Sequence, residues 1–197
     1  MTAGGQREPV WLTPTEHRTL GAALELLVVG SGDAGGADYV DQLLGAFAFD
    51  PPRIWAGGPF SGRHGGDARF EHWLELGTAE ELAWRTRIEG SRGIAEREFN
   101  GAVRGWQEIY RDGLAALAED FCEVDYEEQR ARLEASPAEL RGILFEHACE
   151  SLYGDPVYGG NRDRVGWRSI DFTGDTQPVG WSDHEVTHGG PRAERAT

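Results

Sequence analysis

The chain has 197 residues, the size of one ordinary domain, and a formal net charge of −15. This charge disfavours binding to nucleic acid and to anionic membrane surfaces, because phosphate groups would repel it. All 19 basic residues are arginine, which excludes a lysine Schiff base and a P-loop. Leu, Ile, Val and Phe make up only about a fifth of the residues, which predicts a modest core and a subunit that depends on a partner.

Capping signals predict the first two helices. Thr13 to Glu16 form a capping box with Pro14 at the first helical position, and apolar residues at helical spacing follow as far as Val28. A second helix is expected to begin at Asp38 and to end before residues 50–52, whose two prolines stop it.

A loop rich in glycine and proline is predicted over residues 50–68. It carries two large apolar side chains, Trp55 and Phe60. We expect these to be aromatic anchors that dock against the fold or against a partner.

Four helical patterns are expected in the middle of the chain. A capping box at residues 78–81 opens a helix that runs to Ile88. The longest pattern covers residues 94–121, with Phe99 and Val103 at the start of its apolar stripe. Its glycines indicate either close helix packing or a break. Two further helices are predicted, one over residues 125–134 and one after a capping box at residues 136–139.

The predicted fold class is therefore mainly α. An irregular helical domain over residues 11–182 includes an extended C-terminal arm at 153–182 that is rich in glycine, proline and aromatic residues. One short strand is expected in the arm, near residues 167–172. Residues 1–10 and 183–197 are predicted to be a disordered N-terminus and a flexible tail.

The sequence gives no catalytic constellation and no cofactor-binding motif. Asp183, His184, Glu185 and His188 are the best candidate metal ligands, but the glycines and the proline that follow favour a polar tail. Cys122 and Cys149 are interpreted either as buried thiols or as one disulfide. The longest apolar stretch, residues 24–29, is too short for a membrane span, and no signal segment precedes it. We expect a cytoplasmic protein without membrane insertion.

The densest pattern in the chain begins where the arm begins. Consecutive turn-forming residues fold the chain back after a helix and hold aromatic side chains on a compact scaffold. Rigid aromatic residues beside arginines are typical of interface hot spots, although a loop that docks on its own helical core explains the pattern equally well. The candidate interface residues are Tyr153, Gly154, Asp155, Pro156, Tyr158, Gly159, Gly160, Asn161, Gly166, Trp167, Trp55 and Phe60.

Residues 150–174 contain Asp-Pro-x-Tyr-Gly-Gly-Asn at 155–161, Gly-Trp at 166–167 and a closing aromatic-x-Gly. This pattern resembles the signature of the gluconate 2-dehydrogenase subunit 3 family. Earlier segments follow that family's order, so the resemblance covers about residues 11–175. Two departures are that Thr173 stands where the family often has proline, and that the twin-arginine signal of many relatives is not seen.

This resemblance implies a small accessory subunit without catalysis or cofactor of its own. In that family the small chain accompanies a large flavoprotein of the glucose–methanol–choline (GMC) type, which carries FAD and oxidises a sugar, a sugar acid or another alcohol. A separate haem subunit often receives the electrons. An obligate interface of about 2,000 Å² or more is then expected. The alternative is a self-sufficient helical domain with a metal or enzymatic site built from Asp, Glu and His.

Overall fold

The computed structural model describes residues 8–54 and 76–172, and within these ranges the chain is mainly helical and contains no strand. This confirms the predicted fold class. The α-helices of the two ranges are α1 (Pro14–Leu27), α2 (Gly36–Leu44), α3 (Thr78–Glu89), α4 (Trp106–Leu117), α5 (Tyr126–Ala135), α6 (Ala138–Tyr153) and α7 (Val165–Ser169). None of them is long and apolar enough to cross a bilayer.

The first helix begins as the capping box predicts. The Thr13 hydroxyl oxygen accepts a hydrogen bond from the Glu16 backbone N–H at 3.2 Å, and the Glu16 carboxylate accepts from the Thr13 N–H at 2.8 Å. The box predicted at residues 136–139 is wrong. Pro137 is the residue before α6, while the Ser136 hydroxyl donates to the Leu133 carbonyl at the end of α5.

The main core lies between α1, α2, α4 and α6, with α5 closing one side. Its largest fully buried side chains are Leu20, Leu24, Val40, Leu44, Tyr110, Leu117, Phe121, Leu140 and Leu144, and the fully buried His147 lies beside Tyr110. Gly113 explains how closely α4 approaches α6, because a methyl group at this position would overlap the Leu140 side chain. The close-packing interpretation is confirmed for this glycine.

The long helix predicted over residues 94–121 is wrong in its first half. Helical structure there is limited to a single 3₁₀ turn at Ala95–Arg97 before α4 begins. Gly101 has φ +102°, which ordinary side chains rarely adopt, and a methyl group on Gly105 would overlap the backbone at the end of α3. Gly101 and Gly105 therefore mark a break in the helix, which is one of the two interpretations that the sequence allowed. We call residues 90–105 the α3–α4 loop.

The strand expected near residues 167–172 is not formed. Instead, two 3₁₀ turns, Pro156–Tyr158 and Arg162–Arg164, lead into the short helix α7. Residues 154–172 are called the post-α6 segment below. The second helix also differs slightly from the prediction, because α2 begins at Gly36 rather than at Asp38.

A buried aspartate holds the chain that precedes α1. The Asp41 carboxylate on α2 accepts hydrogen bonds from the backbone N–H groups of Val10, Trp11 and Leu12 at 2.7–2.9 Å. No local sequence pattern announces this contact, which joins residues about thirty positions apart.

Both cysteines are free thiols. Cys122 is exposed and Cys149 is half-buried, so neither alternative predicted for the pair, a disulfide or two buried thiols, is correct.

Candidate functional site

Asn161 organises the post-α6 segment from within. Its side chain is fully buried, donates to the Gly154 carbonyl at 2.8 Å and accepts from the Gly166 N–H at 2.9 Å. Its own backbone N–H donates to the Ser151 carbonyl at 2.6 Å. Through its side chain and its backbone N–H together, Asn161 therefore joins the last turn of α6, the turn after it and the start of α7.

The glycines of the motif permit close backbone contact. A methyl group on Gly160 would overlap the Ser151 carbonyl, and one on Gly166 would overlap the Leu152 carbonyl. Side chains at either position would push the segment off α6. The spacing of these glycines therefore fixes how the segment lies against the last turns of α6.

The segment is unusual in its backbone conformation as well. Asn161, Asp163 and Arg164 have positive φ values of 45°, 54° and 56°, a region that residues other than glycine occupy infrequently. Such a conformation persists only where surrounding contacts determine it.

Contacts with α2 hold the other side of the segment. The Gln42 side-chain amide donates to the Tyr158 carbonyl at 3.0 Å, and the Arg162 guanidinium lies 2.5 Å from the Asp38 carboxylate. The Arg162 N–H donates to the Ala34 carbonyl at 2.9 Å. The post-α6 segment is thus attached to both α6 and α2.

The structure separates the predicted interface residues into inner and outer groups. Asp155, Gly160, Asn161, Gly166 and Trp167 are buried, and Trp167 is only 3% exposed. Its indole N–H donates to the Tyr153 carbonyl at 2.8 Å. The residues that are exposed or half-buried are Tyr153, Gly154, Pro156, Tyr158 and Gly159. The interpretation as a loop that docks on its own helical core therefore describes the buried group, and the interface role of the outer group stays a prediction.

Beside the outer residues lies a cavity of about 550 Å³, which we call the aromatic groove. Its walls come from α2, α3, the start of α4, one face of α6 and the post-α6 segment. The aromatic lining residues are Tyr39, Trp84, Trp106, Tyr153, Tyr158, Trp167 and Phe172. A cavity of this size with mostly apolar walls and a few polar groups is typical of binding sites.

Glu150 places a carboxylate in the groove wall. It accepts a hydrogen bond from the Tyr39 hydroxyl at 2.7 Å. Burial raises the pKa of Glu150. The hydrogen bond from Tyr39 acts against this rise, and the neighbouring Glu146 carboxylate adds to it. Burial, together with the Glu150 carboxylate, also raises the pKa of Tyr39 well above its usual value, so this hydroxyl stays protonated.

A buried histidine lies behind this wall. His147 Nδ1 is 2.8 Å from the Tyr110 hydroxyl. Among the described residues Nε2 has no hydrogen-bond partner, and it lies 4.0 Å from the Glu150 carboxylate. The Trp106 ring packs edge-on against the imidazole. Burial is the main cause that lowers the pKa of His147 to about 4, so the ring is neutral at pH 7.

Two charged groups of the groove lack an ion pair within the described ranges. Arg87 on α3 lies over the rings of Trp84 and Trp106, 5.5 Å from each centroid, and Glu146 extends from the α6 wall. Both side chains belong to exposed residues. The groove therefore presents charge of both signs beside its apolar floor.

Several predicted candidates lie outside the described residues. These are Trp55, Phe60, Asp183, His184, Glu185 and His188. Among residues 8–54 and 76–172, no three His, Cys, Asp or Glu side chains are grouped as metal ligands.

Sequence reasoning located one wall of the groove and missed the others. A usable signal existed on α6, because Glu146, Glu150 and Tyr153 follow an i, i+4, i+7 spacing and share one helix face. Trp84 and Trp106 belong to separate helices, and only the packing of α3 on α4 brings them together, with ring centroids 6.3 Å apart.

Comparisons of the chain with protein-family models, with curated proteins and with solved structures find no match.

Proposed function

We propose that this chain is a non-catalytic small subunit that binds and stabilises a large FAD-dependent oxidoreductase of the GMC type and assists its maturation. The partner carries the FAD and oxidises a sugar, a sugar acid or another alcohol, and a haem subunit can accept its electrons. The proposal places the complex in the cytoplasm. It rests on the resemblance of residues 150–174 to the gluconate 2-dehydrogenase subunit 3 family, together with the arrangement of these residues.

The observation that supports the proposal most directly is that the polar side chains of the motif bond to the backbone of the segment itself. Both functional groups of the Asn161 side chain are bonded to backbone, and the Asp155 carboxylate accepts from the Val157 N–H at 2.9 Å. These bonds hold a wall of the aromatic groove in place, with Tyr153 and Phe172 facing outward. Such an arrangement favours a role in recognition.

Exposed apolar residues of the post-α6 segment add support. Ile170 and Phe172 are 57% and 44% exposed, and Tyr153 at the end of α6 is 42% exposed. Tyr153 and Phe172 both line the aromatic groove, and apolar surface gathered in this way is typical of interaction sites. Covering it in a complex would remove it from water, which stabilises both chains.

Purification of the tagged chain from its native host tests the proposal. We expect a large polypeptide to co-purify in fixed stoichiometry, with the absorbance spectrum of bound FAD and with alcohol or sugar dehydrogenase activity. The chain expressed alone is expected to be poorly soluble or loosely folded, and co-expression with that polypeptide should rescue it. A sharp cooperative melt of the isolated chain, unchanged by the co-purified polypeptide, would contradict the proposal.

A second candidate function is an enzymatic or ligand site in this chain itself. It is favoured by the juxtaposition of Tyr39, Glu150 and His147 at the groove, because perturbed titratable groups beside a cavity are common in active sites. Turnover of a substrate by the isolated chain, lost on Glu150→Gln and retained on Glu127→Gln, would support this function over the first.

A further inference from the structure

We propose that the aromatic groove is the docking site for a segment of the large flavoprotein, and that this segment inserts an apolar side chain next to a basic residue. This inference rests on the proposed function. It adds which surface of this chain contacts the flavoprotein and which side chains of the partner that surface binds.

The size and lining of the groove favour a polypeptide segment. A cavity of about 550 Å³ is larger than one side chain needs, and three tryptophans, Trp84, Trp106 and Trp167, contribute to its walls. Trp and Tyr are the residues that most often dominate the binding energy of protein interfaces. An apolar side chain that packs against them would lose its contact with water.

The charges at the groove specify the neighbouring residue of the partner. Glu146 and Glu150 lie one helical turn apart on the α6 wall, whereas Arg87 lies on the α3 wall over two indole rings. The lining residues include three carboxylates and two guanidiniums, counting Asp155 and Arg53. A lysine or arginine of the partner placed at the α6 wall would offset the repulsion between the two glutamates.

The overall charge argues against a second copy of this chain as the occupant. Two chains that each carry a net charge of −15 repel each other, while a basic segment is attracted toward the groove. We therefore assign the aromatic groove to a segment of the flavoprotein.

Site-specific photo-cross-linking tests the inference. The photoreactive amino acid p-benzoylphenylalanine replaces Tyr153 at the groove in one version of the complex and Tyr126 on α5 in the control version. The two tyrosines form a matched pair, 42% and 58% exposed, and only Tyr153 lines the groove. We expect position 153 to cross-link to the flavoprotein, at a peptide with an apolar residue adjacent to lysine or arginine. Position 126 should give no such product.

A charge reversal gives an independent measurement. Glu146→Arg should weaken the affinity for the flavoprotein by about tenfold or more, because it places a cation where the partner brings one. Glu127→Arg on α5 changes the net charge of the chain by the same amount, outside the groove. It should change the affinity by less than about threefold.

Each result separates the inference from the proposed function. If the flavoprotein complex forms but position 153 cross-links within this chain, to a second copy or to nothing, the docking site is wrong and the subunit role stands. Equal effects of Glu146→Arg and Glu127→Arg would also overturn the docking site. If no flavoprotein complex forms at all, the proposed function itself fails.

Discussion

The post-α6 segment and the α3–α4 loop look alike in sequence and differ in how they are held. Both are irregular and interrupted by glycines, and both follow a helix. The post-α6 segment is fixed by buried Asn161 and places Trp167 in the interior, whereas the loop leaves Phe99 92% exposed. Glycine content therefore identifies where regular structure stops, but not whether the following segment packs. A fully buried residue decides that, because the Asn161 side chain bonds to the backbone at two places and its own backbone N–H bonds at a third.

The α3–α4 loop is held by polar contacts but does not bury its aromatic side chain. The Ser91 hydroxyl accepts from the Val103 N–H at 2.6 Å, and Arg97 pairs with Glu89 at 2.9 Å. These bonds fix the base of the loop, while Phe99, near its middle, packs against nothing that would bury it. We expect substitutions in the post-α6 segment to reduce the free energy of unfolding much more than substitutions in the loop.

The largest expected effect is that of Gly166→Ala. The added methyl group would overlap the Leu152 carbonyl oxygen, which is backbone and cannot move without displacing α6. We expect a loss of about 3 kcal/mol or more in the free energy of unfolding, measured by urea denaturation of the purified chain, alone or in the proposed complex. The matched control is Gly142→Ala on α6, where a methyl group meets open space and should stabilise the helix by about 0.5–1 kcal/mol. Similar effects of the two substitutions would show that α7 does not pack as closely as described.

Asn161→Ala should have the next largest effect. It removes a buried donor and a buried acceptor, leaving the Gly154 carbonyl and the Gly166 N–H without partners, and it places alanine at a positive φ. We expect a loss of about 3 kcal/mol in the free energy of unfolding. Ser91→Ala in the α3–α4 loop removes the hydrogen bond from the Val103 N–H and a long one to the Arg97 carbonyl at 3.5 Å, and it should cost about 1 kcal/mol. If the two substitutions reduced the free energy of unfolding equally, buried polar side chains would not explain the difference between the two regions.

His147 on α6 makes the free energy of unfolding depend on pH. The pKa of His147 is about 4 in the folded chain, against an ordinary value of 6.5, so between these values the unfolded chain binds more protons. The free energy of unfolding should therefore fall by about 3 kcal/mol as the pH drops from about 6.5 to about 4, and His147 should contribute no further change below that range.

His147→Gln tests this dependence, because glutamine does not titrate. Urea denaturation at several pH values should show a shallower decline in this variant than in the unmodified chain. Glu150 has a raised pKa, so its contribution has the opposite sign, and it is present in both proteins. The half-buried His17, which pairs with Asp38 at 2.9 Å, is also common to both. An unchanged decline in His147→Gln would assign the pH dependence to other groups.

The sequence predicted the elements that local patterns control. The capping box of Thr13 and Glu16 and the apolar spacing after it placed α1 correctly. The break before α4 was ambiguous in the sequence, because helical periodicity continues through residues 94–105. In the structure, Gly101 has a positive φ and Gly105 contacts the end of α3, and both features interrupt the helix. The attachment of residues 10–12 to Asp41 could not be predicted, since it depends on two segments that meet only in the folded chain.

The same limit applies to the aromatic groove. The post-α6 motif marked one wall, because turn-forming residues and aromatics are dense there. The opposite wall, formed by Trp84 and Arg87, lies on a helix whose sequence is polar overall, and its role depends on how α3 packs beside α4. Local sequence patterns describe helices well but do not give the packing that turns separate aromatics into a site.

The smallest expected effect is that of Phe99→Ser in the α3–α4 loop. The ring is 92% exposed, so its removal should change the free energy of unfolding by less than about 0.5 kcal/mol. Trp167→Ser in the post-α6 segment is the contrasting substitution. It removes a buried ring that packs against Phe172 with centroids 5.0 Å apart, and it should cost about 3 kcal/mol or more. If Phe99→Ser destabilised the flavoprotein complex while leaving the isolated chain unchanged, the α3–α4 loop would be a second contact with the partner. The two regions would then differ in their contribution to stability, but both would contact the partner through an exposed aromatic side chain.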